Sequence, residues 1–224
     1  MNLSRYLDAA VLKPEMTRDD ARVAIQTCVD HTARTACVRP WDIALAKDLC
    51  AGSETDVCVV LAFPHGATLS ASKADEAARY IDLGVAEIDM VVNFGLVRSG
   101  DWGGVAEDIE AVSSVTRDAG VPLKVIFETF FLQEAEIIRA TEVSITAGAD
   151  WVKTSTGFAG GGATVEAISA MLMAADGRIQ VKASGGIRTA EQAQAYIDMG
   201  VTRLGVGYSS CAALCNGEST SEVY

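Results

Sequence analysis

Two hydrophobic periods alternate along the chain. Short apolar runs rich in Val, Ile, Leu and Ala predict strands at Tyr6–Leu12, Thr35–Val38, Val57–Phe63, Glu87–Val92, Leu123–Glu128, Asp150–Thr154, Ile179–Ala183 and Arg203–Val206. Longer amphipathic stretches between them predict helices at Asp19–His31, Trp41–Cys50, Ser70–Leu83, Val105–Ala119, Glu134–Ala147, Val165–Ala175 and Ala190–Met199. The first two follow Pro14 and Pro40, and Ser70 is the expected N-cap of the third. Four helices run into a glycine and then an apolar residue, at Leu83-Gly84-Val85, Ala119-Gly120-Val121, Ala147-Gly148-Ala149 and Met199-Gly200-Val201. Glycine suits the left-handed residue that closes a helix.

The unit of helix, glycine cap, short loop and strand recurs at roughly the spacing of βα units. Eight strand candidates with continuous apolar character predict one α/β domain over residues 1–224, a single (β/α)8 TIM barrel. The alternative is an open doubly wound sheet, but no G-x-G-x-x-G follows the first strand to support its dinucleotide-binding form. No linker divides the chain, and only residues 216–224 read as a polar, flexible tail.

Composition narrows the function. Half of the residues are hydrophobic and 21% are charged, as in a globular protein. The net charge of −12 excludes a basic nucleic-acid-binding surface and argues against an anionic membrane partner. Neither a membrane-length apolar run nor a secretory leader pattern is visible, so a cytoplasmic protein is expected. The six cysteines form no C-x-x-C pair, and only two histidines are present, His31 and His65. Metal-dependent chemistry is therefore not expected.

The informative anomaly is lysine. Of six lysines, Lys124, Lys153 and Lys182 lie inside otherwise apolar strand candidates, where solubilising lysines do not belong. Asp8, Glu87 with Asp89, and Glu128 also fall within strands. Strand alternation puts Glu87 and Asp89 on one side, Lys124, Ile126 and Glu128 on one side, and Trp151 with Lys153. One reading is a set of buried ion pairs, Lys124 with Glu128 or Asp89 and Lys182 with Asp89. The other is an amine nucleophile. At the reference pKa of about 10.4, only about one lysine in 2500 is neutral at pH 7. Bringing that pKa near 7 takes roughly 4–5 kcal/mol, which burial and a neighbouring ammonium are expected to supply. Glycine-rich segments follow two of these lysines, Thr154-Ser-Thr-Gly157 and Ala183-Ser-Gly-Gly-Ile-Arg-Thr189. Such loops let backbone N–H groups approach an anion, though a tight βα turn reads equally well.

These segments resemble those of deoxyribose-phosphate aldolase, a class I, Schiff-base-forming family. The similarity rests on Lys124-Val-Ile-Phe-Glu-Thr, Val152-Lys-Thr-Ser-Thr-Gly-Phe158 and Val181-Lys-Ala-Ser-Gly-Gly-Ile-Arg-Thr189. It extends to Phe63-Pro-His-Gly-Ala-Thr68, Glu87-Ile-Asp-Met-Val-Val-Asn93 and Ala36-Cys-Val-Arg-Pro40, in order over about residues 6–206. The resemblance implies reversible cleavage of 2-deoxy-D-ribose 5-phosphate to D-glyceraldehyde 3-phosphate and acetaldehyde, without a cofactor or metal. It implies Lys153 as the Schiff-base lysine, Lys182 as the second lysine assisting proton transfer, Asp89 as acid/base and Lys124 in support. It places substrate contacts at Thr154, Gly157, Gly185 and Gly186, with the phosphate also met after the last strand, either by Ser209 and Ser210 or at Gly207. Tyr224 matches, by position and type, a C-terminal tyrosine that moves a proton in some members. A homodimer is the expected assembly.

The chain departs from the family pattern at three places. Ala9-Ala10 stands where His-Thr is common, Arg39 where Asn is common, and Gly205-Val-Gly-Tyr-Ser-Ser210 where the last loop usually reads Gly-Thr/Ala-Ser-Ser. These departures keep open an aldolase of another phosphorylated or unphosphorylated sugar. A non-catalytic phosphosugar-binding barrel is the reading from a different class.

Overall fold

A computed structural model describes residues 3–217. Eight parallel strands close into a barrel in sequence order, with β1 (Leu7–Val11) paired to both β2 (Thr35–Val38) and β8 (Arg203–Gly207). Between them run β3 (Asp56–Leu61), β4 (Glu87–Val91), β5 (Leu123–Ile126), β6 (Trp151–Lys153) and β7 (Gln180–Ser184). The connecting helices are α1 (Arg18–Asp30), α2 (Ile43–Cys50), α3 (Ser70–Asp82), α4 (Phe94–Ser99), α5 (Trp102–Asp118), α6 (Glu134–Thr146), α7 (Val165–Ala175), α8 (Ala190–Met199) and α9 (Tyr208–Cys215).

Strand alternation divides the protein into two environments. Outward residues such as Leu7, Ile88, Met90, Val125, Val152, Val181 and Leu204 join the inner faces of the helices in one continuous apolar core. Each such side chain contributes roughly 1.5–3 kcal/mol when fully buried. Inward residues are different. Lys182 on β7 and Arg203 on β8 both reach acids on β4, contacts possible only through the barrel interior. The charges fill that interior beside a small apolar cluster of Ala10, Leu12, Cys37, Cys58 and Val60.

The glycine caps form as the sequence predicts. Gly84, Gly120, Gly148 and Gly200 all have positive φ. In each case the following residue donates its N–H five residues back, as Val85 does to Tyr80 O and Val121 to Thr116 O. The apolar residue after each glycine then starts the turn into the next strand.

Four expectations need correction. Ser70 is the first helical residue of α3 rather than its cap; Leu69 holds the cap position, and the Ser70 hydroxyl donates to Asp108. α5 begins at Trp102, because Asp101 caps it through Gly104 N–H and the helix tolerates Gly103-Gly104, a pair that hid its first turn. α4 and α9 were not anticipated. The sequence of α9, YSSCAALC, is too uniformly small and apolar to show a helical period, and packing against α1 and β1 decides its fold. Finally, β5 stops at Ile126 and Glu128 turns into the left-handed region at φ 58°, so Glu128 does not share a strand face with Lys124.

Candidate active site

The barrel interior holds a connected charge network. Asp89 lies at its centre, fully buried. Its Oδ1 accepts from Lys124 at 2.8 Å, and its Oδ2 accepts from Lys153 at 2.8 Å and Lys182 at 2.7 Å. Lys182 also donates to Asp8 at 2.5 Å, and Lys124 lies 2.6 Å from Glu87. Arg203 closes the lower side, bonding Asp8 at 2.6 Å and Glu87 at 2.8 and 3.1 Å, with its guanidinium 5.4 Å from the Trp151 ring. Four cations thus face three carboxylates.

Register explains the convergence. Lys153 pairs with Lys182 across β6 and β7, and Asp89 with Lys124 across β4 and β5. Asp8 sits level with Thr35, whose hydroxyl donates to it at 2.8 Å.

The electrostatics follow from this crowding. Burial pushes the Asp89 carboxyl up, but the ammonium groups of Lys124, Lys153 and Lys182 overcome it and hold it well below the usual carboxylate range. Asp8 is likewise depressed, burial being outweighed by Lys182, Lys124 and Arg203. For Lys182, burial and Lys124 press the amine down, yet Asp8 and Asp89 win and raise it. Lys124 is raised well above its ordinary value against the same burial, chiefly by Asp89. This corrects the expectation that neighbouring lysines depress one another: carboxylates at hydrogen-bond distance dominate for Lys124 and Lys182.

The lysines are not equivalent. Lys124 and Lys182 are completely buried and each meets at least two carboxylates. Lys153 is 3% exposed and has one carboxylate within ion-pair distance among the described residues, Asp89. Beside Lys153, the Glu128 carboxylate accepts from Thr156 N–H and hydroxyl. Burial raises the Glu128 carboxyl despite those bonds.

Cys37 and Cys58 line the other side of Asp89, where Cys58 Sγ lies 3.3 Å from Oδ1. Cys37, Cys58 and Asp89 could in principle hold a metal ion, but both Asp89 oxygens are already engaged by ammonium groups that a cation would have to displace.

At the C-terminal rim a cleft opens over β6, β7, β8 and β1. It brings together Gly157, Gly186, Ser209 and Ser210, with Gly207, Lys13 and Arg188 on the same wall. Gly207 is the cap of α9, and both serines lie in its first turn, where helix N–H groups lack intrahelical acceptors. Gly185 is in a supporting position: at φ 89° it lets the loop after β6 approach so closely that a Cβ would stand 2.9 Å from Gly162 Cα. Thr154 is also turned away from the cleft. Its hydroxyl straps β6 to β7, donating to Ser184 O and accepting from Ser184 N–H. Tyr224 lies outside the described residues.

The cleft floor is Ala10 and Gly205. A Cβ on Gly205 would stand 2.3 Å from Ser184 Oγ and 3.3 Å from Lys182 Cε, so glycine keeps the cleft open down to the charge network. Ser184 Oγ is buried there without a hydrogen-bond partner among the described residues. The sequence pattern missed Ser184, Arg203 and Lys13 as site residues.

Residues 5–215 match the family model of DeoC/LacD family aldolases. The chain belongs to this aldolase family. It is 42% identical to the deoxyribose-phosphate aldolase of Brevibacillus brevis, over 99% of this chain and 98% of that one. It is 42% identical to that of Streptococcus gordonii over the full length of both. Among solved structures it resembles the deoxyribose phosphate aldolase of Aeropyrum pernix, described as a unique tetramer, with a TM-score of 0.85 and 27% identity over 96% of this chain and 89% of that one.

Within this aldolase frame, two departures acquire positions. Ala9 points into the outer core, whereas Ala10 faces inward and leaves an apolar wall where a threonine would offer a hydroxyl. In the last loop, β8 ends at Gly207, and the helix begins before Ser209 and Ser210. No helix among the described residues is long and apolar enough to cross a membrane.

Proposed function

We propose that this aldolase cleaves 2-deoxy-D-ribose 5-phosphate reversibly to D-glyceraldehyde 3-phosphate and acetaldehyde through a Schiff base on Lys153. The observation that carries the reading is the shared Asp89 Oδ2, which lies within hydrogen-bond distance of both Lys153 and Lys182. Lys153 has one carboxylate partner where Lys182 has two, so it is the amine held by the fewer ion pairs. The neutral Lys153 amine attacks C1 of the open-chain aldehyde. Protonation and loss of water from the carbinolamine give the imine.

The imine then draws the electrons of the breaking C2–C3 bond into an enamine, as the C3 hydroxyl proton leaves and glyceraldehyde 3-phosphate departs. Protonation at C2 and hydrolysis release acetaldehyde and restore Lys153. Asp89, between the two amines, relays protons with Lys182 as the anchored cation; each positioned proton transfer is worth roughly 10²–10⁴-fold. Lys124 holds Asp89 in place. The orphan Ser184 hydroxyl, at the base of the cleft, suits a substrate hydroxyl. The rim, with Gly157, Gly186, Ser209 and Ser210, suits the phosphate.

Borohydride reduction in the presence of acetaldehyde, followed by peptide mapping, tests the proposal. A reduced adduct on Lys153 that disappears in Lys153→Leu supports it; folded protein without any adduct overturns it. The assembly is part of the same proposal, a homodimer, and light scattering at micromolar concentration decides it.

A further inference from the structure

Arg39, one of the three departures from the family pattern, finds no place in the chemistry above. It is nevertheless built into the rim. Its Nη1 donates to the carbonyls of Lys13 at 2.8 Å, Met16 at 3.2 Å and Pro14 at 3.3 Å, while Nε pairs with the buried Asp42 at 2.7 Å. The guanidinium therefore fixes the backbone of the loop that follows β1. The second residue of that loop is Lys13, which lines the cleft.

Lys13 and Arg188 are the two charged residues on the cleft wall. They differ in setting. Arg188 is exposed, whereas Lys13 is half-buried on a braced backbone. No acid among the described residues lies within ion-pair distance of the Lys13 ammonium. The same cleft is lined by the first turn of α9 and by the glycine at position 186, which offer backbone N–H groups without charge. A half-buried, unpaired ammonium lining one cleft with a helix N-terminus is an arrangement for a dianion.

We infer that Lys13 is the specificity-determining cation that holds the phosphate of the substrate, and that Arg39 is the residue that positions it. The inference rests on the aldolase reading above and adds the source of its preference for a phosphorylated sugar.

The test compares kcat and KM for 2-deoxyribose 5-phosphate and for 2-deoxyribose, in the wild type, Lys13→Met, Lys13→Arg and Arg39→Lys. Lys13→Met lowers the ratio of kcat/KM between the two sugars by about tenfold or more, mainly through KM of the phosphorylated one. Lys13→Arg restores most of the ratio, and Arg39→Lys, which keeps one donor of the brace, falls between. Equal losses on both sugars, or no change in the ratio, overturn the inference. Inorganic phosphate titrated calorimetrically reads the subsite without turnover: about tenfold weaker binding in Lys13→Met is expected, and unchanged binding refutes the role. Acetaldehyde trapping on Lys153 separates the two levels. A wild type that traps acetaldehyde but cleaves neither sugar removes the proposed substrate, while the phosphate titration still judges Lys13.

Discussion

Lys153 and Lys182 are register partners on adjacent strands, and their ammonium groups reach the same oxygen of Asp89, at 2.8 and 2.7 Å. What separates them is the second acid. Lys182 also holds Asp8 at 2.5 Å, whereas Lys153 has no other carboxylate within ion-pair distance among the described residues. One lysine is anchored by two carboxylates and the other by one.

That asymmetry predicts unequal stability effects for equal truncations. Lys153→Leu lowers the aldol rate by at least about 10³-fold, the scale of removing a nucleophile. It removes one of the three ammonium partners of Asp89, which keeps Lys124 and Lys182, and changes unfolding free energy by less than about 1 kcal/mol. Lys182→Leu strips Asp8 and Asp89 of a shared partner and costs about 3–5 kcal/mol. Urea unfolding of both variants at pH 7 checks the contrast; equal losses would contradict it.

The same network sets the pH range of stability. Asp8 and Asp89 are depressed in the fold, so their contribution is present above the unfolded value of about 3.9 and is lost as pH falls through the depressed values. Lys124 and Lys182 are raised, so theirs is complete below about 10.4 and is lost as pH rises through the raised values. Tm should therefore hold a plateau between these limits and fall on both sides. Asp89→Asn should lower Tm at pH 7 and flatten the acid arm; an unchanged acid arm would assign it to other carboxylates.

The barrel was legible because strand alternation, helix period and glycine caps all agree along the chain. Asp89, Lys153 and Lys182 were legible because a lysine or aspartate in an apolar strand has few reasons to be there. Arg203 hid at the first position of its strand, where an arginine reads as the solvated end of an element. Glu128 was misplaced because nothing in Ile-Phe-Glu-Thr announces a left-handed turn at a non-glycine residue. Lys13 was overlooked because it precedes a proline in a polar loop, and its value arises only when Arg39, distant in sequence, braces that loop.

Glu128 offers a test of burial against hydrogen bonding. Its carboxyl is raised by burial in spite of the two Thr156 donors, so the charged form costs stability above the unfolded value of about 4.3. Glu128→Gln keeps an acceptor for Thr156 and removes that cost. It should gain up to about 1 kcal/mol at pH 8, with the gain fading as pH falls below about 4. A loss of stability at pH 8 would mean that the charged bonds to Thr156 outweigh desolvation.

Ser184 separates fold from function most directly. Its hydroxyl is buried with no partner among the described residues, beside Lys182 and at the base of the cleft. An unpaired buried hydroxyl costs about 1–3 kcal/mol, so Ser184→Ala should keep or raise unfolding free energy. If the hydroxyl meets the substrate, the same change should lower kcat/KM by about tenfold, the loss of one hydrogen bond of roughly 1.4 kcal/mol. A variant that is both more stable and less active is the signature of a group kept for the substrate. A variant that loses stability with unchanged kcat/KM would instead make Ser184 part of the scaffold and leave Asp89 and the lysines as the whole polar contact with the reacting carbons.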